Sequence, residues 1–180
     1  ETSDLTKLNY DYGYLDLFSF LIPGFRDWPI KRFYNQLNTW IDCHSAKKFY
    51  FVAHSFGTYI LAHTLKKLIS EKKAFQIEGV IICGSVLRSK ECWDSIRSGR
   101  NFLLLNECGT HDFVLWASNI FGPRLGMAGK IGFNWINTDR QISRFHRGGH
   151  SLYFEKKGKP CDKFMKDNWV PFILGQQELN

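Results

Sequence analysis

Apolar positions along this chain alternate between short continuous runs and longer stretches with helical spacing. The run Lys48 to Ala53 (KFYFVA) is apolar, aromatic and of strand length, which predicts a buried central strand of a parallel sheet. Thr58 to Ser70 follows, with apolar residues at helical spacing and lysines on the opposite side. The pattern therefore predicts a strand, a tight turn and a helix in direct succession.

The same alternation continues along the chain. Glu78 to Ser85 and Asn101 to Asn106 predict two more buried strands, and Cys92 to Ser98 predicts the helical crossover between them. Farther on, Gln141 to His146 predicts a last strand, and Lys163 to Leu174 predicts a C-terminal helix. Each predicted strand is thus separated from the next by a segment long enough for a parallel crossover.

Two elements are expected before the first of these strands. Trp28 to Cys43 has apolar residues at helical spacing after a proline at its start, and Leu8 to Tyr12 predicts an earlier strand. Strands that alternate with helices predict an α/β fold, with a mostly parallel sheet flanked by helices on both faces. With 180 residues and no repeat or linker, residues 1–180 are expected to form a single domain.

The composition is that of a globular protein, with 44% hydrophobic and 23% charged residues. Lys and Arg exceed Asp and Glu by 24 to 17, and such a charge permits attraction to nucleic acid or to anionic membranes. The lysines stand in isolated pairs and no base-reading module is visible, so we expect no nucleic-acid partner. Peripheral membrane contact through the apolar segment Leu15 to Phe25 stays an open alternative.

The cysteines indicate the compartment and argue against a metal site. There are five, without a CxxC pair or a Cys/His cluster at zinc spacing, which favours a reducing compartment and no bound metal. No apolar run approaches 18 residues, so no membrane-spanning helix is expected. We therefore expect a cytoplasmic protein, with association at a membrane surface as the alternative.

The segment most informative about chemistry lies between the best predicted strand and the best predicted helix. It reads Ala53-His54-Ser55-Phe56-Gly57. A serine hydroxyl is a poor nucleophile unless it is exposed near a base and near amides that can hold an oxyanion, and a sharp strand-to-helix turn supplies that setting. Small residues two before and two after the serine allow such a turn to close, and the Phe56 N–H lies at a helix N-terminus.

This segment resembles the nucleophile elbow of the α/β-hydrolase superfamily, G-x-S-x-G, in the same strand-turn-helix context. Ala53 replaces the first glycine and Gly57 matches the second. The alternative for Ser55 is a helix N-cap. The side chain of His54 is expected to point away from the nucleophile and to serve in packing, not as a general base.

The resemblance implies an acid and a histidine after the serine, in that order. Asp112 follows the third predicted strand and is the preferred acid, with Glu107 in reserve. His150 lies on a glycine-rich loop after the last strand and is the preferred histidine. His146 competes with it, and His111 is next to the proposed acid.

By resemblance, Ser55 attacks a carbonyl, His150 takes its proton and later protonates the leaving group, and Asp112 fixes and stabilises the imidazole. This implies a serine hydrolase of the esterase, lipase or thioesterase type that acts on a small-molecule or lipid ester without a metal or organic cofactor. Two alternatives stay open: an acyltransferase with the same triad, and a non-catalytic α/β-hydrolase-like module for interaction or ligand binding.

The family's second oxyanion amide comes from a loop after an earlier strand, and no such strand and loop precede Tyr10. Either the chain lacks the N-terminal strands of the fold, or the loop around Tyr12, Gly13 and Tyr14 supplies the amide. Two aromatic-rich stretches, residues 15–28 and 113–135, follow predicted strand ends. They are expected either to cap the site or only to pack onto the sheet.

Overall fold

The computed structural model describes residues 6, 8–10, 24, 26–44, 47–90, 93–115, 125–135, 137–138, 140–156, 159–160 and 162–174. In chain order the elements are α1 (Asp27–Cys43), β1 (Lys48–His54), α2 (Phe56–Ser70), β2 (Gln76–Cys83), α3 (Asp94–Arg97), β3 (Leu103–Gly109), α4 (Ala128–Ile131), β4 (Gln141–His146), β5 (Glu155–Lys156), β6 (Lys159–Pro160), α5 (Asp162–Asn168) and α6 (Val170–Ile173).

Strands β1 to β4 form one parallel sheet in the order β1-β2-β3-β4, and β5 and β6 form a small antiparallel pair. In the register of the large sheet, Cys83 of β2 lies between His54 of β1 and Glu107 of β3. Gly109 at the end of β3 pairs with His146 at the end of β4. The carboxyl ends of all four strands therefore meet at one edge of the sheet, and the predicted α/β class is confirmed.

Both faces of the sheet are covered. Successive residues of a strand point to opposite faces, so Val80 and Ile82 of β2 belong to the core on one face, and Ile81 belongs to the core on the other. The first core includes Leu37 of α1 and Leu65 of α2. The second core includes Tyr153, Trp169 and Phe172. Helices thus flank both faces, as predicted, which explains why residues 79–83 of β2 (GVIIC) carry no polar side chain.

Several element bounds differ from the prediction. β3 extends to Gly109, so Glu107 lies within the strand and not in the loop after it. The crossover helix is only Asp94–Arg97. The single predicted C-terminal helix is two short helices, because Pro171, in the first turn of α6, cannot continue a helix from α5 without colliding with the carbonyl of residue 167.

The position of β1 also differs. Within the described residues β1 pairs with β2 alone, and 48% of Val52 is exposed, so β1 lies at an edge and not in the centre of this sheet. A continuous apolar run identifies a strand but not the number of its neighbours. Of the predicted strand Leu8 to Tyr12 the structure describes residues 8–10. These residues do not form a strand, although Leu8 and Tyr10 pack against the core.

Candidate active site

Ser55 occupies the sharp turn between β1 and α2. Its backbone has φ 54° and ψ −128°, an uncommon conformation for a residue with a side chain, which persists only where the surroundings hold it. Its N–H donates to the Cys83 carbonyl at 3.0 Å, and its carbonyl accepts from the N–H and the hydroxyl of Thr58 at 3.0 and 2.7 Å. These bonds fix the strand-turn-helix geometry that the sequence predicts.

The Ser55 side chain points out of this turn toward His150. It makes no capping hydrogen bond to α2, and its Oγ lies 2.8 Å from His150 Nε2. Ser55 stands at the N-cap position of α2, but the interpretation of its hydroxyl as a helix cap is wrong.

Asp112 completes a continuous chain of hydrogen bonds. Its side chain is fully buried, with Oδ2 at 2.7 Å from His150 Nδ1 and Oδ1 accepting from the Leu115 N–H at 3.0 Å. A carboxylate only accepts hydrogen bonds, so His150 Nδ1 carries the proton and Nε2 is left to accept from the Ser55 hydroxyl. This is the tautomer that a base acting on Ser55 requires.

The loop that carries His150 is attached to the loop that carries Asp112. The Thr110 N–H donates to the His146 carbonyl at 3.0 Å, and the His111 N–H donates to the Gly148 carbonyl at 2.9 Å. Gly109 leaves no room for a side chain, since a Cβ there would lie 3.0 Å from the Gly149 carbonyl oxygen. The separation between the acid and the histidine is therefore set by backbone contacts.

The competing acid and histidine pair with each other instead. His146 Nε2 lies 2.6 Å from Glu107 Oε2, and fully buried Glu107 also binds Arg144 and the Trp169 indole N–H. Burial alone would raise the pKa of Glu107, but the bonds from His146 and Arg144 outweigh it and hold that pKa below its usual range. The carboxylate of Glu107 is thus committed to this cluster and makes no hydrogen bond to His150.

The remaining histidines of the region have different surroundings. His111 is exposed and its Nδ1 lies 3.0 Å from the Thr110 hydroxyl. His54 was predicted to be a packing residue, and its ring does contact Tyr153 and Phe154. However, its Nε2 also lies 2.9 Å from the His150 carbonyl oxygen, a contact that no local sequence pattern predicts. The structure thus brings Ser55, Asp112 and His150 together, with His54 beside them.

Gly84, just after β2, is a second site residue that the sequence interpretation missed. It has φ +52°, and a Cβ there would lie 3.1 Å from His54 Nε2 and 3.2 Å from His150 Cε1 and Nδ1. The only sequence signal is a glycine directly after a strongly apolar strand. Its missing side chain makes room for both imidazole rings.

The described thiols below the site are not competing nucleophiles. Cys83 and Cys108 are fully buried, and burial, together with the charge of Glu107, raises both pKa values, that of Cys108 to about 12. A thiol with such a pKa stays protonated at neutral pH and is unreactive. Ser55 is therefore the better placed nucleophile at this end of the sheet.

No protein-family model and no curated protein matches this chain.

The other predicted site residues have the following positions. Ala53 is in β1, Phe56 is the first residue of α2 and is buried, and Gly57 follows it. The loop around residues 12–14 lies outside the described residues, as do most of residues 15–28 and residues 116–124. In the described part of the second aromatic stretch, Phe133 is buried and Trp135 packs against the core.

A cavity of about 250 Å³ adjoins the elbow, where Ala53, His54 and Gly57 form part of its wall. Its other lining residues are mostly apolar and come from α1, β1, α2 and the segment before them: Asn9, Tyr10, Phe33, Phe51, Val52, Ile60 and Leu61. An apolar group could thus lie within reach of the elbow.

Two further observations concern the described part of the chain. It contains no group of three or more His, Cys, Asp or Glu side chains arranged to hold a metal ion. None of its helices combines the length and apolar character needed to cross a membrane.

Proposed function

We propose that this chain is a serine hydrolase of the α/β-hydrolase type, which cleaves a carboxylic ester or thioester through an acyl-enzyme on Ser55. The observation that carries the proposal is the unbroken chain of hydrogen bonds from Ser55 through His150 to Asp112, with the serine on a strained turn. Its members follow β1, β3 and β4, which is the order of serine, acid and histidine in that superfamily.

In the proposed mechanism, Ser55 Oγ attacks the carbonyl carbon of the substrate while His150 Nε2 accepts the hydroxyl proton. The resulting tetrahedral intermediate expels the alcohol or thiol, which takes that proton from His150 and leaves an acyl group on Oγ. Water then attacks the carbonyl carbon of the acyl group while His150 Nε2 takes its proton, and the second tetrahedral intermediate breaks its bond to Ser55 Oγ, which regains the proton from His150 as the carboxylic acid is released. Asp112 holds the Nδ1 proton throughout and stabilises the imidazolium that forms in each half-reaction.

The negative charge of the tetrahedral oxygen needs hydrogen-bond donors. We assign one of them to the backbone N–H of Phe56, because it begins the 15-residue helix α2, whose N-terminus carries a partial positive charge. The apolar cavity beside the elbow supports an apolar group on the substrate, of the kind that an acyl chain or a lipid provides.

The test is covalent labelling with a fluorophosphonate, which reacts with activated serines. We expect one adduct, located on Ser55 by mass spectrometry, and we expect Ser55→Ala and His150→Ala to abolish it. Ser70→Ala is a matched control, because Ser70 is exposed at the end of the same helix and its hydroxyl donates to the Lys67 carbonyl. This variant should label like the unmodified protein.

A folded protein that does not label, or that labels equally after His150→Ala, would contradict the proposal. The first result would favour a non-catalytic module. The second would mean that His150 does not activate the serine. Hydrolysis of a p-nitrophenyl ester by the labelled and unlabelled protein then shows whether the same serine turns over an ester.

A further inference from the structure

We propose that His54 is a positioning residue for His150: it holds the proposed general base at Ser55 through a hydrogen bond to the His150 carbonyl and through ring contact. This inference rests on the proposed function. His54 Nε2 lies 2.9 Å from the His150 carbonyl oxygen, and the centroids of the two rings are 4.6 Å apart.

The chemistry of this contact fixes the role of each atom. A carbonyl oxygen only accepts hydrogen bonds, so His54 Nε2 carries a proton and is the donor of this hydrogen bond. Because His54 is the residue immediately before Ser55, the backbone that presents the nucleophile also holds the loop that presents the base. The bond joins parts of the chain that are 96 residues apart in sequence, and it restrains His150 at its backbone while Asp112 restrains it at Nδ1.

The surroundings of His54 keep this donor neutral. Its ring lies against His150, Tyr153 and Phe154, and it fills the space that the missing side chain of Gly84 leaves. Burial, and then the nearby imidazole of His150, lower the pKa of His54 to about 4, while the hydrogen bond to the His150 carbonyl and the Asp112 carboxylate oppose this shift. A neutral His54 adds no positive charge beside His150 when His150 takes the serine proton.

Positioning and simple packing make different predictions for two variants. His54→Phe keeps an aromatic ring but removes the donor. His54→Gln removes the ring but places an amide N–H at a comparable reach. If the hydrogen bond positions His150, the glutamine variant should retain most of the function and the phenylalanine variant should lose it. If only packing matters, the order should be reversed.

The first measurement is the rate of fluorophosphonate labelling at Ser55, with kcat and KM for a p-nitrophenyl ester. We expect His54→Phe to lower the labelling rate and kcat by roughly 10- to 100-fold, as a misplaced base does, with KM nearly unchanged. We expect His54→Gln to stay near the unmodified protein. His63→Gln, in the middle of α2 with its ring on Tyr59, is the matched control and should have no effect.

The second measurement does not depend on catalysis. The His150 Nδ1 proton, bonded to buried Asp112, should give a downfield proton NMR signal that disappears in His150→Gln. We expect the signal to persist in His54→Gln and to be broadened by faster solvent exchange in His54→Phe. Should His54→Phe fail to fold, His54→Leu, which also lacks the donor, replaces it with the same expectations.

A phenylalanine variant with unchanged labelling and an unchanged NMR signal would overturn the inference, as would a glutamine variant that loses as much as the phenylalanine variant. Failure of the proposed function gives a different result, because the unmodified protein itself would then not label at Ser55. The NMR comparison would still decide whether His54 positions His150.

Discussion

The atoms around Ser55 have defined hydrogen-bond roles because most of their partners can act in only one way. The carboxylate of Asp112 and the carbonyl of His150 only accept, so His150 Nδ1 and His54 Nε2 must both donate. His150 Nε2 is then left unprotonated, and it faces the serine hydroxyl. The reactive tautomer is therefore set by neighbours and not by His150 itself.

Gly84 offers a direct test of how closely the two imidazoles are packed. In Gly84→Ala the new Cβ would lie 3.1 to 3.2 Å from His54 and His150, so we expect one ring to shift and fluorophosphonate labelling to slow about tenfold or more. The positive φ adds about 1 to 2 kcal/mol of destabilisation, measurable by urea unfolding.

The control is Gly99→Ala. Gly99 also has a positive φ, +71°, but apart from its chain neighbours no atom of the described residues lies within 4 Å of a Cβ built there. This variant should lose similar stability and keep the normal labelling rate. Equal labelling rates in the two variants would show that the space at Gly84 does not affect the site.

At the scale of elements, the ends of β3 and β4 carry two acid–histidine pairs with different surroundings. Glu107 and His146 are closed in with Arg144 and Trp169, whereas Asp112 and His150 end at Ser55. The first pair therefore stabilises the carboxyl end of the sheet, and we propose a catalytic role for the second pair.

Substitution of the two acids should separate these roles. Glu107→Gln leaves Arg144 without its buried partner, so we expect a loss of about 3 to 5 kcal/mol in the free energy of unfolding. Asp112→Asn can still accept from the Leu115 N–H but favours the wrong tautomer of His150, so we expect a smaller loss of stability and roughly a 10⁴-fold loss of kcat.

Urea unfolding and ester hydrolysis, measured on both variants, check this prediction. The activity of Glu107→Gln is compared under conditions where it remains folded. If Glu107→Gln proved the inactive variant and Asp112→Asn the unstable one, the assignment of the acid would be wrong.

The same strand ends show which elements and site residues can be predicted from the sequence. Three elements lie nearly where the sequence predicts them, because a continuous apolar run of strand length or a helical spacing of apolar residues marks each one: Lys48 to Ala53, Thr58 to Ser70 and Gln141 to His146. The choice of Asp112 over Glu107 could not be made from pattern alone, since both come near the end of one apolar run. It depends on pairing with Arg144 and His150, more than 35 residues away in sequence.

The contacts of His54 and Gly84 could not be predicted from the sequence for the same reason. In the sequence, His54 is explained as a residue of the elbow, and Gly84 is explained as a glycine that follows a strand. Their contact with His150 arises only when β1, β2 and the loop after β4 reach the same edge of the sheet. The position of β1 at the edge of the described sheet could not be predicted either, because its apolar run has the same appearance in the centre of a sheet.

At the scale of the whole molecule, the sheet has a hydrophobic core on each face, and a different layer of the chain covers each core. One core includes residues of α1 and α2, and the other includes Tyr153, Trp169 and Phe172. Trp169 links the second layer to the site end of the sheet, because its indole N–H donates to Glu107 at 3.1 Å and its ring packs on Tyr153. Loss of the packing in this second layer should therefore also destabilise the sheet.

Trp169 also tests the prediction of a single domain. Only 3% of Trp169 is exposed, so Trp169→Ala should cost about 3 to 5 kcal/mol, whereas Trp169→Phe keeps an aromatic ring and should cost less. If the sheet and both layers unfold as one unit, hydrogen exchange of the backbone amides of β2 and of α5 should report the same free energy of opening in each variant. Faster exchange of α5 in Trp169→Ala, with the exchange of β2 unchanged, would mean that the layer around Tyr153, Trp169 and Phe172 unfolds separately. The Glu107 cluster would then be closed by a layer that can open while the sheet stays folded.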